Sequence, residues 1–139
     1  MQKVVAQMNY SDVMLNIGDA NYGIFDGNAQ YNEEKALNHI RRERFYLILP
    51  LVMREAKVDM WIHVKRKSDF FDFEFGEKPG VYIFTDRGGD RIERAVLGGQ
   101  VDRELYDILD PESNLGKFVA ERNPKRIALN YTERASSFN

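Results

Sequence analysis

Apolar residues recur at helical spacing through Leu37, Ile40, Leu47, Ile48, Leu51 and Val52, a pattern that predicts an amphipathic helix with one stripe turned to a core. The start is predicted at Asn32, whose side chain suits an N-cap. Glu33 and Glu34 then bring carboxylates to the free N–H groups of the first turn. Arg54 and Lys57 place cations at the far end, where they complement the unpaired carbonyls. Pro50 interrupts the pattern. It lacks an N–H and costs about 3 kcal/mol inside a straight helix, so a bend or restart is expected near Leu49 rather than an end.

The period then changes to two. Val58, Met60, Ile62 and Val64 alternate with Asp59, Trp61 and His63, which predicts a strand with one apolar and one mixed face. Gly80 to Thr85 and Arg91 to Leu97 are two more runs of β-formers, and Gly88 and Gly89 between them permit positive φ, so an antiparallel hairpin is expected. Val101, Leu105, Ile108 and Leu109 predict a short helix ended by Pro111. Leu115, Phe118 and Val119 predict another, after Ser113 and Asn114 and before Asn123-Pro124. Ile127, Leu129 and Tyr131 close with a strand. The order α, β, ββ, α, α, β gives an α/β fold, a mixed β-sheet with helices packed against it. Residues 1–31 are turn-rich, with no steady period, and read as an N-terminal arm ahead of a domain at 32–139. Because the last strand signal runs to Glu133 with six residues after it, the chain is expected to be the front part of a longer protein.

Composition narrows the class of function more than it selects one. A chain of 139 residues with 43% hydrophobic, 30% charged and 12% aromatic positions has the make-up of one packed domain. A net charge of −2 leaves the clusters Arg41-Arg42-Glu43-Arg44 and Lys65-Arg66-Lys67 as local features and gives no pull toward nucleic acid. Without cysteine there is no disulfide framework and no thiolate chemistry, which fits the cytoplasm. Met1 to Tyr10 lacks the apolar run of a signal peptide, and no later stretch suits a membrane.

The chemistry-bearing residues do not assemble into a catalytic pattern. His39 and His63 are the only imidazoles, and Asp59 with His63 on one strand face is the nearest approach to a metal motif. Two ligands leave most of a coordination shell empty, so no catalytic, cofactor-binding or metal residue is assigned. Asp86, Asp90 and Glu93 read as turn carboxylates bonding local backbone. Gly88-Gly89 and Gly98-Gly99 are turns, lacking the Lys-Ser/Thr or spaced third glycine of a phosphate loop. Ser11, Ser68, Ser113, Ser136 and Ser137 lack a nucleophile elbow. The run Phe70-Phe71-Asp72-Phe73-Glu74-Phe75 stands apart. If extended, it sets Phe71, Phe73 and Phe75 on one face and Asp72 and Glu74 on the other. Those rings either cap the core or, with Trp61, form an interface or substrate entrance.

Three segments resemble a known family. Arg42 to Phe45 continuing through Leu49 to Ile62, then Tyr82 to Gly89 with Ile92-Glu93-Arg94, then Pro124 to Asn130, resemble in order the creatinase/prolidase N-terminal domain, in the branch of Xaa-Pro aminopeptidases. The resemblance implies a ribonuclease H-like, three-layer architecture. It also implies a pita-bread catalytic domain following on the same polypeptide, where two Asp, one His and two Glu hold a pair of divalent metals (manganese, cobalt or zinc) in most members. None of those ligands maps onto this chain. The expected role is therefore non-catalytic: shaping substrate access and oligomer assembly, with the missing catalytic domain and further copies as partners and a peptide substrate reached only through the parent enzyme. The alternative is a free-standing binding or dimerisation module of the same fold. In the family, the segment after the first strand lies near the mouth of the catalytic pocket, often a neighbouring subunit's, which gives the phenylalanine run its interest.

Overall fold

A computed structural model describes residues 3–4, 29–101 and 103–130. Its elements are β1 (Lys3–Val4), α1 (Ala29–Leu47), α2 (Leu49–Glu55), β2 (Met60–Lys65), β3 (Gly80–Thr85), β4 (Glu93–Leu97) and β5 (Ile108–Asp110). A 3₁₀ turn (Glu112–Asn114), α3 (Leu115–Arg122) and β6 (Arg126–Leu129) follow. The strands form one mixed sheet in the order β1-β6-β2-β3-β4-β5. β3 runs antiparallel to both neighbours, and the β1–β6, β6–β2 and β4–β5 pairs are parallel. The expected α/β fold with a mixed sheet is what the chain adopts.

Successive strand residues point to opposite faces, and here both faces are covered. Trp61, Tyr82, Phe84, Val96 and Ala128 face Phe45, Ile48, Leu49 and Met53 of α1 and α2. Met60, Ile62, Ile83, Ala95, Leu97 and Ile127 face Phe118 of α3. The result is three layers, with α1 and α2 on one side of the sheet and α3 on the other. This corrects the expectation of a half-polar face on β2. Trp61 is 2% exposed because a helix layer lies over it.

The helix pair starts earlier and faces differently than its apolar pattern suggests. α1 begins at Ala29, which puts Asn32 inside the helix rather than at its cap. At Ile48 the chain turns from α1 into α2 while Ile48 N still donates to Arg44 O and Val52 N to Ile48 O. Pro50 therefore sits in the first turn of α2, where a missing N–H is harmless, and the break is the expected bend. The buried side of this pair is Arg41, Phe45, Ile48, Leu49 and Met53, whereas Leu47 and Leu51 of the predicted stripe are 56% and 65% exposed.

Two further differences are local. The segment predicted as a helix over Val101 to Leu109 instead ends in β5, pairing Ala95 with Ile108 and Leu97 with Asp110. Ile108 packs on the α3 side and Leu109 on the α1 side, the period of a strand. Gly99 shows why the chain there is glycine-rich, since an added Cβ would lie 2.7 Å from the carbonyl oxygen of Pro79. The stop at Asn123-Pro124 is as read: Asn123 takes the left-handed conformation at φ 46° and closes α3. Of the predicted arm at residues 1–31, Lys3–Val4 pairs with β6 and Ala29–Tyr31 belongs to α1. The remainder of the arm, the last-strand position Tyr131 and Ser11, Ser136 and Ser137 lie outside the described residues. Among the described residues, no helix is long and apolar enough to cross a membrane.

Candidate functional site

The fourteen-residue connection from β2 to β3, residues 66–79, carries the phenylalanine run, and it is not extended. Arg66 N donates to Asp69 Oδ2 at 2.8 Å, Asp69 N to Arg66 O at 3.0 Å and Asp72 N to Asp69 O at 3.3 Å, two successive tight turns. Period-two alternation therefore does not hold, and the rings part company. Phe71 is 93% exposed, Phe70 71% and Phe73 47%, while Phe75 is 1% exposed. Phe75 packs against Phe84 at 4.9 Å and Trp61 at 5.5 Å between ring centroids. Trp61 and Phe75 are thus core residues, which removes both from the predicted interface. Phe71 and Phe73 remain on the surface and Phe70 joins them.

Buried polar side chains hold this loop in place. Arg41 on α1, almost fully buried, donates from Nε and Nη2 to the Phe73 carbonyl at 3.1 and 2.7 Å, and from Nη1 to Asn38 Oδ1 at 2.8 Å. Lys65, the last residue of β2, donates from Nζ to Gly76 O at 3.1 Å and Glu77 O at 2.8 Å, with the ammonium 5.0 Å from the Phe73 ring. His63 Nε2 sits 2.6 Å from Asp72 Oδ2. The Tyr82 hydroxyl donates to Lys78 O at 2.6 Å, and that of Tyr106 to Phe75 O. The stretch from Asp72 to Lys78 is thus tied to α1, β2 and β3.

The electrostatics follow from this burial. Loss of water lowers the Lys65 pKa, an effect opposed by the nearby Asp72 carboxylate and reinforced by the Arg41 charge. The Tyr82 hydroxyl is pushed well above its usual value, again chiefly by loss of water. A hydrogen bond to a charged donor contributes about 1.5–3 kcal/mol, and a cation left buried without acceptors costs more than that. Loop carbonyls and buried cations therefore depend on each other. The sequence reading missed Arg41 and Lys65 by treating both only as members of local basic clusters. A signal was present: Lys65 continues the Trp61, His63 alternation, and Arg41 precedes Phe45 by four residues and Ile48 by seven.

The other candidates stay apart. Asp59 Oδ2 accepts from Lys125 N at 2.7 Å while His63 turns to Asp72, so the Asp59 and His63 side chains do not converge. Asp86 accepts from Gly88 N at 2.9 Å and takes both Nε and Nη2 of Arg54, which holds its carboxyl below the usual range. Glu93 pairs with Arg122 at 2.6 Å and Arg87 at 3.6 Å. Gly88 and Gly98 adopt positive φ, as turns require. Among the described residues, no group of three or more His, Cys, Asp or Glu side chains is placed to hold a metal ion.

No protein family, curated protein or solved structure matches the chain.

Proposed function

We propose that this chain is a non-catalytic docking domain of the creatinase/prolidase N-terminal type, working beside a dinuclear-metal peptidase domain of the Xaa-Pro aminopeptidase or prolidase kind. It shapes substrate access and assembly. The observation that carries the docking role is the display of Phe70, Phe71 and Phe73 on a loop whose second half, Phe73 to Lys78, is pinned by Arg41, Lys65 and Tyr82. Three exposed rings amount to roughly 400 Å² of apolar surface at about 200 Å² per phenylalanine, the size of patch that on monomers is often an interaction site. A ring held on a fixed loop loses little entropy on binding. The peptidase association rests on the resemblance of Arg42–Ile62, Tyr82–Arg94 and Pro124–Asn130, and the three-layer α/β arrangement is compatible with it.

In this reading the metal pair and the hydrolytic chemistry belong to the catalytic domain. The residues of this chain position the loop and present its rings. Two measurements test it on the full-length gene product: metal-dependent hydrolysis of an Xaa-Pro dipeptide, and the same assay on Phe71→Ser. The expected result is activity with manganese, cobalt or zinc and a raised KM in the variant. A full-length product without ordered Asp, Asp, His, Glu and Glu ligands and without Xaa-Pro turnover would overturn the peptidase assignment. It would leave the second reading, a free-standing docking module, which the same exposed rings favour.

A further inference from the structure

A cavity of about 300 Å³ lies where α1, the connection from β2 to β3 and the connection from β4 to β5 meet. Its inner wall is made of the buried residues Phe75, Leu105 and Tyr106, with half-buried Val101 beside them. Buried Arg41 and half-buried Asn38 enter from α1, while Lys78 and Gln100 are exposed and stand at the mouth. An apolar floor with a few convergent polar groups is the general make-up of a small-molecule site. The wall is also fixed in advance. Phe75 O accepts from the Tyr106 hydroxyl, and Gly76 O and Glu77 O accept from Lys65 Nζ, so the recess exists before anything enters it.

Charge selects the kind of occupant. Of the described side chains around the cavity, Arg41 and Lys78 are cationic and Glu77 is anionic, and Glu77 is exposed whereas Arg41 is not. Lys65 sets a second buried cation behind the Gly76 and Glu77 backbone. Burial lowers its pKa, the Asp72 carboxylate opposes that shift and the Arg41 charge adds to it, so the fields of two cations overlap at the inner end. An anion there is attracted by both through poorly screened surroundings, and a cation is repelled by both. Bonds to Phe73 O and Asn38 Oδ1 hold the Arg41 guanidinium still, so it meets a carboxylate without reordering. Size sets the rest. An apolar cavity of about 150 Å³ holds a benzene ring, so one of about 300 Å³ has room for roughly twelve non-hydrogen atoms.

We propose that this cavity is a binding site for a small organic acid, with its carboxylate on Arg41 and its apolar body, one ring or a chain of similar bulk, against Phe75, Val101, Leu105 and Tyr106. The site is built within a single chain. It goes beyond the docking reading and does not depend on it, since Phe70, Phe71 and Phe73 do not line the cavity.

Isothermal titration calorimetry on the full chain tests this with 3-phenylpropionate and octanoate, each compared with its uncharged amide. At least one acid is expected to bind with a dissociation constant below about 1 mM, and its amide at least about tenfold more weakly. The two acids distinguish an aromatic from an aliphatic body. Val101→Phe fills the recess from a half-buried position and is expected to abolish binding, with a melting curve to show that the fold is intact. Phe71→Ser is expected to leave binding unchanged. Arg41→Met is expected to bring the acid down to the affinity of its amide; should that variant fail to fold, the comparison of acid with amide and Val101→Phe decide the matter. Saturation by neither acid up to roughly 5 mM, an amide that binds as tightly as its acid, or normal binding in Val101→Phe would each overturn the inference. Loss of binding in Phe71→Ser would place the ligand on the exposed rings and overturn it too.

Discussion

Phe71 and Phe75 lie four residues apart, yet the structure assigns them opposite energetic roles, which makes Phe75→Ala against Phe71→Ala a direct test. Phe75 is 1% exposed and its ring meets Phe84, Trp61 and Phe45 at 4.9, 5.5 and 6.1 Å and the His63 ring at 4.7 Å. At about 200 Å² per side chain and about 25 cal/mol per Å², the burial amounts to at most about 5 kcal/mol, since denatured chains already hide part of that surface. Truncation also leaves a cavity among rigid rings, so about 4 kcal/mol is expected, within the range for buried phenylalanine. For a chain of this size that corresponds to roughly 10–15 °C in Tm. Phe71 is 93% exposed, and its truncation should stay within about 0.5 kcal/mol. Urea unfolding followed by the fluorescence of Trp61, the only tryptophan, reports on both. A Phe75→Ala loss below about 1.5 kcal/mol, or a comparable loss for Phe71→Ala, would refute the division of the loop into a buried anchor and an exposed ring.

Arg41→Met removes three donors at once and leaves the Phe73 carbonyl short of its partners. Stability should fall by about 1–3 kcal/mol, and chymotrypsin should cut faster at Phe70, Phe71 and Phe73; unchanged cleavage would show that the loop is held without the guanidinium. Tyr82 predicts an alkaline loss of stability. Its folded pKa is raised above the ordinary 10.0, so its contribution is complete below pH 10 and declines above it by up to about 1.4 kcal/mol per pH unit. Tyr82→Phe should flatten that decline, and an unchanged slope would remove the buried hydroxyl as its cause.

Much of the scaffold was legible because its signals are local. The β3–β4 hairpin follows from two runs of β-formers around Gly88-Gly89, the bend at Ile48 from Pro50, and the end of α3 from Asn123-Pro124. Errors arose where a local pattern had two physical readings. Val101, Leu105, Ile108 and Leu109 fit a helical face, but pairing with β4 decided for a strand, and short apolar runs carry no information about that neighbour. Leu47 and Leu51 fit the apolar stripe, but the stripe that packs begins with Arg41, a residue type that pattern reading sends to solvent. The geometry of the candidate loop was not legible. Alternation of Phe71, Phe73 and Phe75 has meaning only in an extended chain, and the Asp69 turns abolish it.

That last failure bears on how the loop works. An exposed aromatic loop free to collapse would bury its rings on its own core, since the hydrophobic gain for a phenylalanine is about 1.5–3 kcal/mol. Here the backbone carbonyls of Phe73, Phe75, Gly76, Glu77 and Lys78 are all engaged by Arg41, Tyr106, Lys65 and Tyr82. Each such bond, at about 1–3 kcal/mol, is comparable to the gain from burying one ring, and several act together. The polar ties therefore offset the tendency of Phe73 to fold inward. Buried cations are a costly way to hold a loop, and apolar packing alone would hold one more simply. Apolar packing would also draw the rings in. Fixing residues 73–78 through their backbone carbonyls holds the segment while the Phe73 ring stays half-exposed, which is the arrangement that the proposed docking surface needs.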